Sequence, residues 1–378
     1  MSESSEWLIY RGAGEPHGGI TQLPPPPPWR DFAGRGDNSP HGEGDTGDSG
    51  GDGSADRRLG GYRHEAELHR PGAEELEMIN AALYLRRPLL VTGSPGAGKS
   101  TLAHSVAHEL GLGRVLRWPI VSRSALQDGL YHYDAIARLQ DVQLAAHSAA
   151  GPNGTNGTNG TGGADGTGGA DGAGGADGTG GTDRHDPSAD IGSYIRLGPL
   201  GTALLPSEQP RVLLIDELDK SDIDLPNDLL NVLEEGEFGI PELERIADRL
   251  PDGEAEVLTD DGKKVRIKGG RVQCRAFPFV VLTSNGERDF PAPLMRRCIH
   301  LELGRPDHQR LATFVRAHLG DEAARAGDDL ISHFLERSRS ELISTDQLLN
   351  AIYLTDAAAP AGRDRLADLL IQRLDRPR

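Results

Sequence analysis

Leu89-Leu90-Val91-Thr92-Gly93-Ser94-Pro95-Gly96-Ala97-Gly98-Lys99-Ser100 is the stretch on which the rest of the chain turns. A short apolar run ends at Gly93, and Gly98-Lys99-Ser100 completes the pattern G-x-x-x-x-G-K-[ST]. The run reads as a buried strand, and Thr101 to Leu110 reads as the helix that follows it. Glycines let a backbone wrap a phosphate chain with its N–H groups pointing inward, and a helix N-terminus adds favourable dipoles. Gly93, Ser94, Pro95, Gly96, Ala97, Gly98, Lys99, Ser100 and Thr101 are therefore the candidate nucleotide-binding segment. The Lys99 ammonium would reach the β- and γ-phosphates, and the Ser100 hydroxyl would hold Mg²⁺. A glycine turn that merely precedes a helix is the alternative.

Outward from this stretch, Arg211-Val212-Leu213-Leu214-Ile215-Asp216-Glu217-Leu218-Asp219-Lys220 carries a second signal. Four consecutive apolar residues suit a parallel strand buried on both faces, with Asp216 and Glu217 emerging at its C-terminal end. Ligands sit at that end of an open α/β sheet. Asp216 would hold Mg²⁺ together with Ser100, and Glu217 would orient and deprotonate the water that attacks the γ-phosphate. Alone, such a strand could end in a solvated acidic turn; beside a phosphate loop, the two motifs supply complementary parts of one site.

Of the 378 residues, 50 are Gly and 25 Pro, and the Gly concentrates in two stretches that cannot pack a core. Net charge is −18, which argues against a general nucleic-acid or anionic-membrane binder. Cys274 and Cys298 stand apart from any C-x-x-C or Cys/His cluster, so neither a disulfide framework nor a zinc site is indicated. Met1-Ser2-Glu3-Ser4-Ser5-Glu6-Trp7 has no basic or apolar leader character, and no window approaches a membrane span, so a cytoplasmic protein is expected.

Residues 1–57 are polar and rich in Gly, Pro and Asp, and are expected to form a mostly disordered arm, with Pro24–Pro28 as polyproline II. Within the arm, Glu6-Trp7-Leu8-Ile9-Tyr10-Arg11 reads as a segment that docks on the same protein, engages a partner, or stays unfolded. Residues 62–88 read as helical, ended by Arg86-Arg87-Pro88. From about 149 to 190 a Gly-rich insert with Asn-Gly-Thr repeats should bury almost nothing. Without that insert, the interval from Lys99 to Asp216 suits strand–helix–strand–helix–strand. Trp118-Pro119-Ile120 and Tyr131-His132-Tyr133-Asp134 read as packing or interface residues, or as substrate contacts. A helix through Leu229–Leu233 is followed by a hairpin, with Ala255–Leu258 and Lys264–Ile267 flanking the turn Thr259-Asp260-Asp261-Gly262. Another buried strand, Phe277–Leu282, ends in Thr283-Ser284-Asn285, and helical periodicity from Pro306 onward predicts about four helices.

Taken together, the glycine loop, the Asp-Glu strand, the strand ending in Thr-Ser-Asn, the Arg pair Arg296-Arg297 and the C-terminal helices resemble an AAA+ ATPase of the MoxR type. The resemblance covers roughly residues 60–375 apart from the Gly-rich insert. It implies an α/β P-loop NTPase fold: a parallel sheet with flanking helices over 58–305 and an all-α lid domain over 306–378. Asn285 would be the sensor-1 residue, holding the attacking water, and Arg296 or Arg297 would be the arginine finger reaching a neighbouring subunit. Such proteins usually place a sensor-2 arginine at the start of a lid helix. The matching stretch, Leu342-Ile343-Ser344-Thr345-Asp346-Gln347-Leu348, offers an N-cap in Ser344 or Thr345 and no basic residue. The resemblance implies ATP and Mg²⁺ as ligands and a ring homo-oligomer, a hexamer. The ring would remodel a partner protein, of the von Willebrand A type where family habits hold. The alternative is a nucleotide-controlled switch or scaffold whose assembly, not turnover, is the output. A GTPase is disfavoured, because no Asn-Lys-x-Asp base-reading motif occurs.

Overall fold

The computed structural model describes residues 7–32, 71–149, 191–338 and 345–357. The chain passes through α1 (Ala73–Leu85), β1 (Leu89–Gly93), α2 (Lys99–Glu109), β2 (Leu116–Pro119), α3 (Leu126–Leu130), β3 (Tyr131–Tyr133) and α4 (Ala135–Ala149). It continues with β4 (Ile195–Leu197), α5 (Pro199–Ala203), β5 (Val212–Asp216), α6 (Leu225–Glu235), β6 (Glu237–Gly239), β7 (Glu254–Leu258), β8 (Lys264–Lys268) and β9 (Arg271–Gln273). Then come β10 (Phe279–Ser284), α7 (Ala292–Arg297), β11 (Ile299–Leu303), α8 (His308–Ala326), α9 (Asp328–Ser338) and α10 (Thr345–Ala357).

The central sheet has the order β11-β1-β10-β5-β2, and all its pairs are parallel. Successive side chains on a strand point to opposite faces, so an unbroken apolar run needs cover on both sides. That cover is present. Leu90, Leu213, Ile215, Val280 and Leu282 belong to one buried cluster, while Leu89, Val91, Val212, Leu214 and Val281 belong to another. The two clusters are the two faces of one α/β sheet. Because every pair is parallel, Gly93, Asp216 and Ser284 all end their strands at the same edge, and β10 sits between β1 and β5.

A smaller mixed sheet, β3-β4-β7-β8, contains the expected hairpin, with Ala255 opposite Ile267 and Leu258 opposite Lys264. Its turn closes through Thr259 N–H to the Lys263 carbonyl at 2.8 Å. Residues flanking the Gly-rich insert supply the other half of this sheet, a pairing the sequence pattern does not announce. Helix α6 turns Leu225, Leu229, Leu230, Val232 and Leu233 inward, an apolar stripe at helical spacing. Helices α8, α9 and α10 close a third cluster around Val315, Ile331, Phe334, Leu348 and Ile352. The fourth helix expected near Leu366–Leu370 lies outside the described residues, as do the Gly-rich insert over 150–190 and residues 62–70 of the first predicted helix.

The expectation of a mostly disordered arm over residues 1–57 does not hold for residues 7–32. Ile9 and Tyr10 are buried, and the Asn80 side chain accepts from both of their N–H groups and donates to the Tyr10 carbonyl. The buried Glu109 carboxylate, at the end of α2, accepts from the N–H groups of Arg11, Gly12 and Gly14, and His17 Nε2 lies 3.1 Å away. Further on, Pro28 opens a 3₁₀ turn, and Arg30 lies over the Phe277 ring and donates to the Leu233 carbonyl at 2.8 Å. Hydrogen-bond partners and apolar cover come from far along the chain, which offsets the low apolar content of the segment. The docking reading of the Trp7–Arg11 island is the one observed; residues 33–57 lie outside the described residues.

Candidate functional site

Between β1 and α2, the backbone makes the sharp passage that glycine allows. Gly96 and Gly98 take φ of 78° and 87°, where a Cβ is strained. Gly96 also has no room for one, since an added Cβ would lie 1.7 Å from Thr345 Oγ1. Helix α2 then starts at Lys99 with its first N–H groups facing the loop, followed by Ser100 and Thr101 in the first turn. Ser94, Pro95 and Ala97 complete the loop, and Ala97 N–H closes onto the Ser94 carbonyl at 3.1 Å.

Lys99 is 7% exposed. Its Nζ donates to the Gly93 and Ser94 carbonyls at 2.7 and 2.9 Å and to Asn285 Oδ1 at 2.8 Å. Burial lowers its ammonium below the ordinary lysine range, against the opposing charges of Asp219, Asp216 and Glu217. Residues 186 positions apart in sequence thus meet across β1 and β10.

Asp216, at the end of β5, is 6% exposed. Its Oδ1 accepts from Ser100 Oγ at 2.9 Å and from Thr283 Oγ1 at 2.8 Å. Its Oδ2 accepts from Arg117 Nη2 at 2.6 Å and Nε at 3.2 Å. Burial alone would raise this carboxyl, but the hydrogen bonds from Arg117, Thr283 and Ser100 and the Arg117 charge outweigh it, holding Asp216 below the usual carboxylate range.

Glu217 takes φ 62°, ψ 47°, a conformation a non-glycine residue adopts at a cost of about 1–3 kcal/mol. Its N–H donates to Thr283 Oγ1 at 2.8 Å, so one hydroxyl fixes both Asp216 and the peptide after it. The Glu217 carboxylate is half-exposed and pairs with Lys220 Nζ at 2.7 Å. Asp219 is buried, and its Oδ2 accepts from the N–H groups of Asn285 and Glu287 at 2.9 and 3.1 Å. That grip sets the turn from which the Asn285 amide reaches Lys99.

The structure therefore brings Lys99 to Asn285 and the adjacent Ser100 to Asp216, with Glu217 one residue beyond Asp216. Arg296 and Arg297 stay apart from these. They form the last turn of α7, where Arg297 pairs with Glu234, and among the described residues no hydrogen bond or ion pair joins either to the loop. Four contributors were missed from sequence. Asp219 is a third carboxylate in the acidic run, which could have flagged it, and Thr283 precedes Ser284-Asn285. Arg117 had no signal beyond its place on a short strand. Thr345, whose Oγ1 donates to the Gly96 carbonyl at 2.7 Å, was noticed only as a helix cap. Trp118 and Tyr131 are buried, and Tyr131 donates to Glu242 at 2.7 Å, so these two aromatics serve packing.

A divalent-ion role fits the donor set. Ser100 Oγ and the Asp216 carboxylate are hard oxygen ligands held together, as suits Mg²⁺, which takes one or two protein ligands and leaves the rest to water and phosphate. Among the described residues no group of three or more His, Cys, Asp or Glu side chains could hold a metal, and no helix is long and apolar enough to cross a membrane. Compared with known proteins, the chain matches no family model and no curated sequence.

Proposed function

We propose that this chain binds ATP with Mg²⁺ and hydrolyses it as a MoxR-type AAA+ ATPase, with α8–α10 as the lid beside the α/β core. The observation that carries the reading is the meeting of three distant motifs at one sheet edge. Lys99 bonds to Asn285, and Ser100 bonds to Asp216, each within 2.9 Å.

In that reading the Gly93–Gly98 loop and the first turn of α2 wrap the phosphates with main-chain N–H groups. Lys99 exchanges its bonds to the Gly93 and Ser94 carbonyls for phosphate oxygens, and its charge offsets theirs. Ser100 Oγ and Asp216 would hold the metal, which would supply charge to offset that of the phosphates. Glu217 leaves Lys220, which is exposed and easily parted from it, and takes a proton from the attacking water. Asn285 is kept in reach by Asp219 and orients that water. Ring assembly, an arginine finger at Arg296 or Arg297, and remodelling of a partner protein follow from the family resemblance and extend the proposal.

Glu217→Gln separates binding from chemistry. Turnover is expected to fall about 100-fold or more, with nucleotide affinity within about threefold of wild type. Equal turnover in the two proteins would remove Glu217 from the mechanism. Wild-type assembly on ATP without measurable turnover would favour the switch reading instead.

A further inference from the structure

The metal-binding carboxylate already holds a cation. Both donors of the Arg117 fork bond Asp216 Oδ2, while Oδ1 is taken by the hydroxyls of Ser100 and Thr283. The hydroxyl contacts are compatible with a bound metal, since Ser100 Oγ can donate its hydrogen to Asp216 and still offer lone pairs to an ion. The Arg117 contact competes with it, since a guanidinium keeps its charge, and a second cation on the same carboxylate meets its repulsion at this depth.

Where Arg117 comes from makes release simple. In register, Arg117 stands beside Leu214 and Pro119 beside Asp216, so Arg117 shares the Asp216 face of the sheet and reaches forward along it. Strand β2 is the sheet edge, with Leu116 and Trp118 anchoring it from the other face. The Arg117 side chain remains 42% exposed, so it can swing into solvent without breaking the strand.

We propose that Arg117 is an internal counter-cation for Asp216, which Mg²⁺ entering with nucleotide must displace, so that this residue sets the Mg²⁺ concentration at which the site loads. The inference rests on the ATP–Mg²⁺ reading above and adds to it a positioning residue that competes with the metal. Arg117 keeps the acidic edge neutralised until metal arrives with its nucleotide, and it disfavours stray occupation of Asp216 by metal alone.

The test is equilibrium binding of a fluorescent ATP analogue to the full chain over a series of Mg²⁺ concentrations and in EDTA. Wild type, Arg117→Gln and Arg117→Lys are compared, and the melting of each is followed. Half-saturating Mg²⁺ is expected to fall about fivefold in Arg117→Gln, and by less in Arg117→Lys, which keeps a charge but loses the fork. Affinity in EDTA should not rise in either, because Asp216 without its counter-cation repels the phosphates. An unchanged or higher Mg²⁺ requirement in a cooperatively melting Arg117→Gln would overturn the inference, because Arg117 would then be ordering Asp216 for the metal. Should Arg117→Gln fail to fold, Arg117→Lys decides: a shift in the same direction supports competition, and no shift overturns it. Binding that ignores Mg²⁺ in every protein also overturns the Arg117 inference while leaving the nucleotide site standing. No binding to wild type under any condition removes the ATP reading itself, and this inference with it.

Discussion

Asp216 illustrates how much one side chain carries here. It is buried and charged, and its ionised form is held by two hydroxyls and a guanidinium. A carboxyl whose folded pKa lies below its unfolded value stabilises the fold fully above that unfolded value, near 3.8, and loses the contribution as pH falls through the folded one. Wild type should therefore exceed Asp216→Asn in unfolding free energy by about 1–2 kcal/mol at pH 7. Urea titrations in the absence of nucleotide should find the gap closing below pH 3.8. A gap that stays constant into acid would mean that Asp216 gains nothing from its partners. At this scale the sequence was informative about Lys99, Ser100, Asp216 and Glu217, because each lies in a short motif with fixed spacing. It was silent on Arg117, and it marked Asp219 only as a third carboxylate in the acidic run. Their roles depend on which strand lies beside which, and on a turn 66 positions away from Asp219.

Elements divide along a similar line. β1, β5 and β10 were legible because burial on both faces demands an unbroken apolar run, and the β7–β8 hairpin because Thr259-Asp260-Asp261-Gly262 is turn-forming. Beyond the order-prone island ending at Arg11, the segment to residue 32 reads as unpacked because Gly, Pro and polar residues dominate it. Its order comes from Asn80 and Glu109, which lie on helices α1 and α2 far along the chain. Glu109 receives three main-chain N–H groups from this segment and is itself fully buried. Glu109→Ala is expected to cost about 2–4 kcal/mol, because it leaves those donors without an acceptor. Hydrogen exchange should show the amides of Arg11, Gly12 and Gly14 losing protection first, ahead of the central sheet. Uniform loss across the sheet, or none at residues 11–14, would contradict the strap-like role. Residues 11–14 of the segment grip the end of α2, the helix that carries Lys99 and Ser100, so they brace the element on which the site is built.

At the scale of the whole molecule, the sheet order explains why motifs spread over nearly 200 positions converge. β10 inserts between β1 and β5, so the C-terminal ends of these three neighbours form a single edge, and the loop after β1 faces the acids after β5 across Asn285. The α/β architecture follows from apolar patterning, but the strand order does not, since hydrophobic runs carry no record of their neighbours. The helices after β11 touch this edge through Thr345 and the Gly96 carbonyl, which gives motion of the loop a direct route into the helical unit. All of this hangs on whether the edge takes a nucleotide. Isothermal titration calorimetry of ATP with Mg²⁺ into the full chain and into Lys99→Ala, both melting cooperatively, tests that most directly. The account predicts one saturable site in wild type and affinity weaker by about tenfold or more in Lys99→Ala, as loss of a charge-assisted contact requires. Absence of saturable heat in well-folded wild type, or equal affinity in the two proteins, would contradict it.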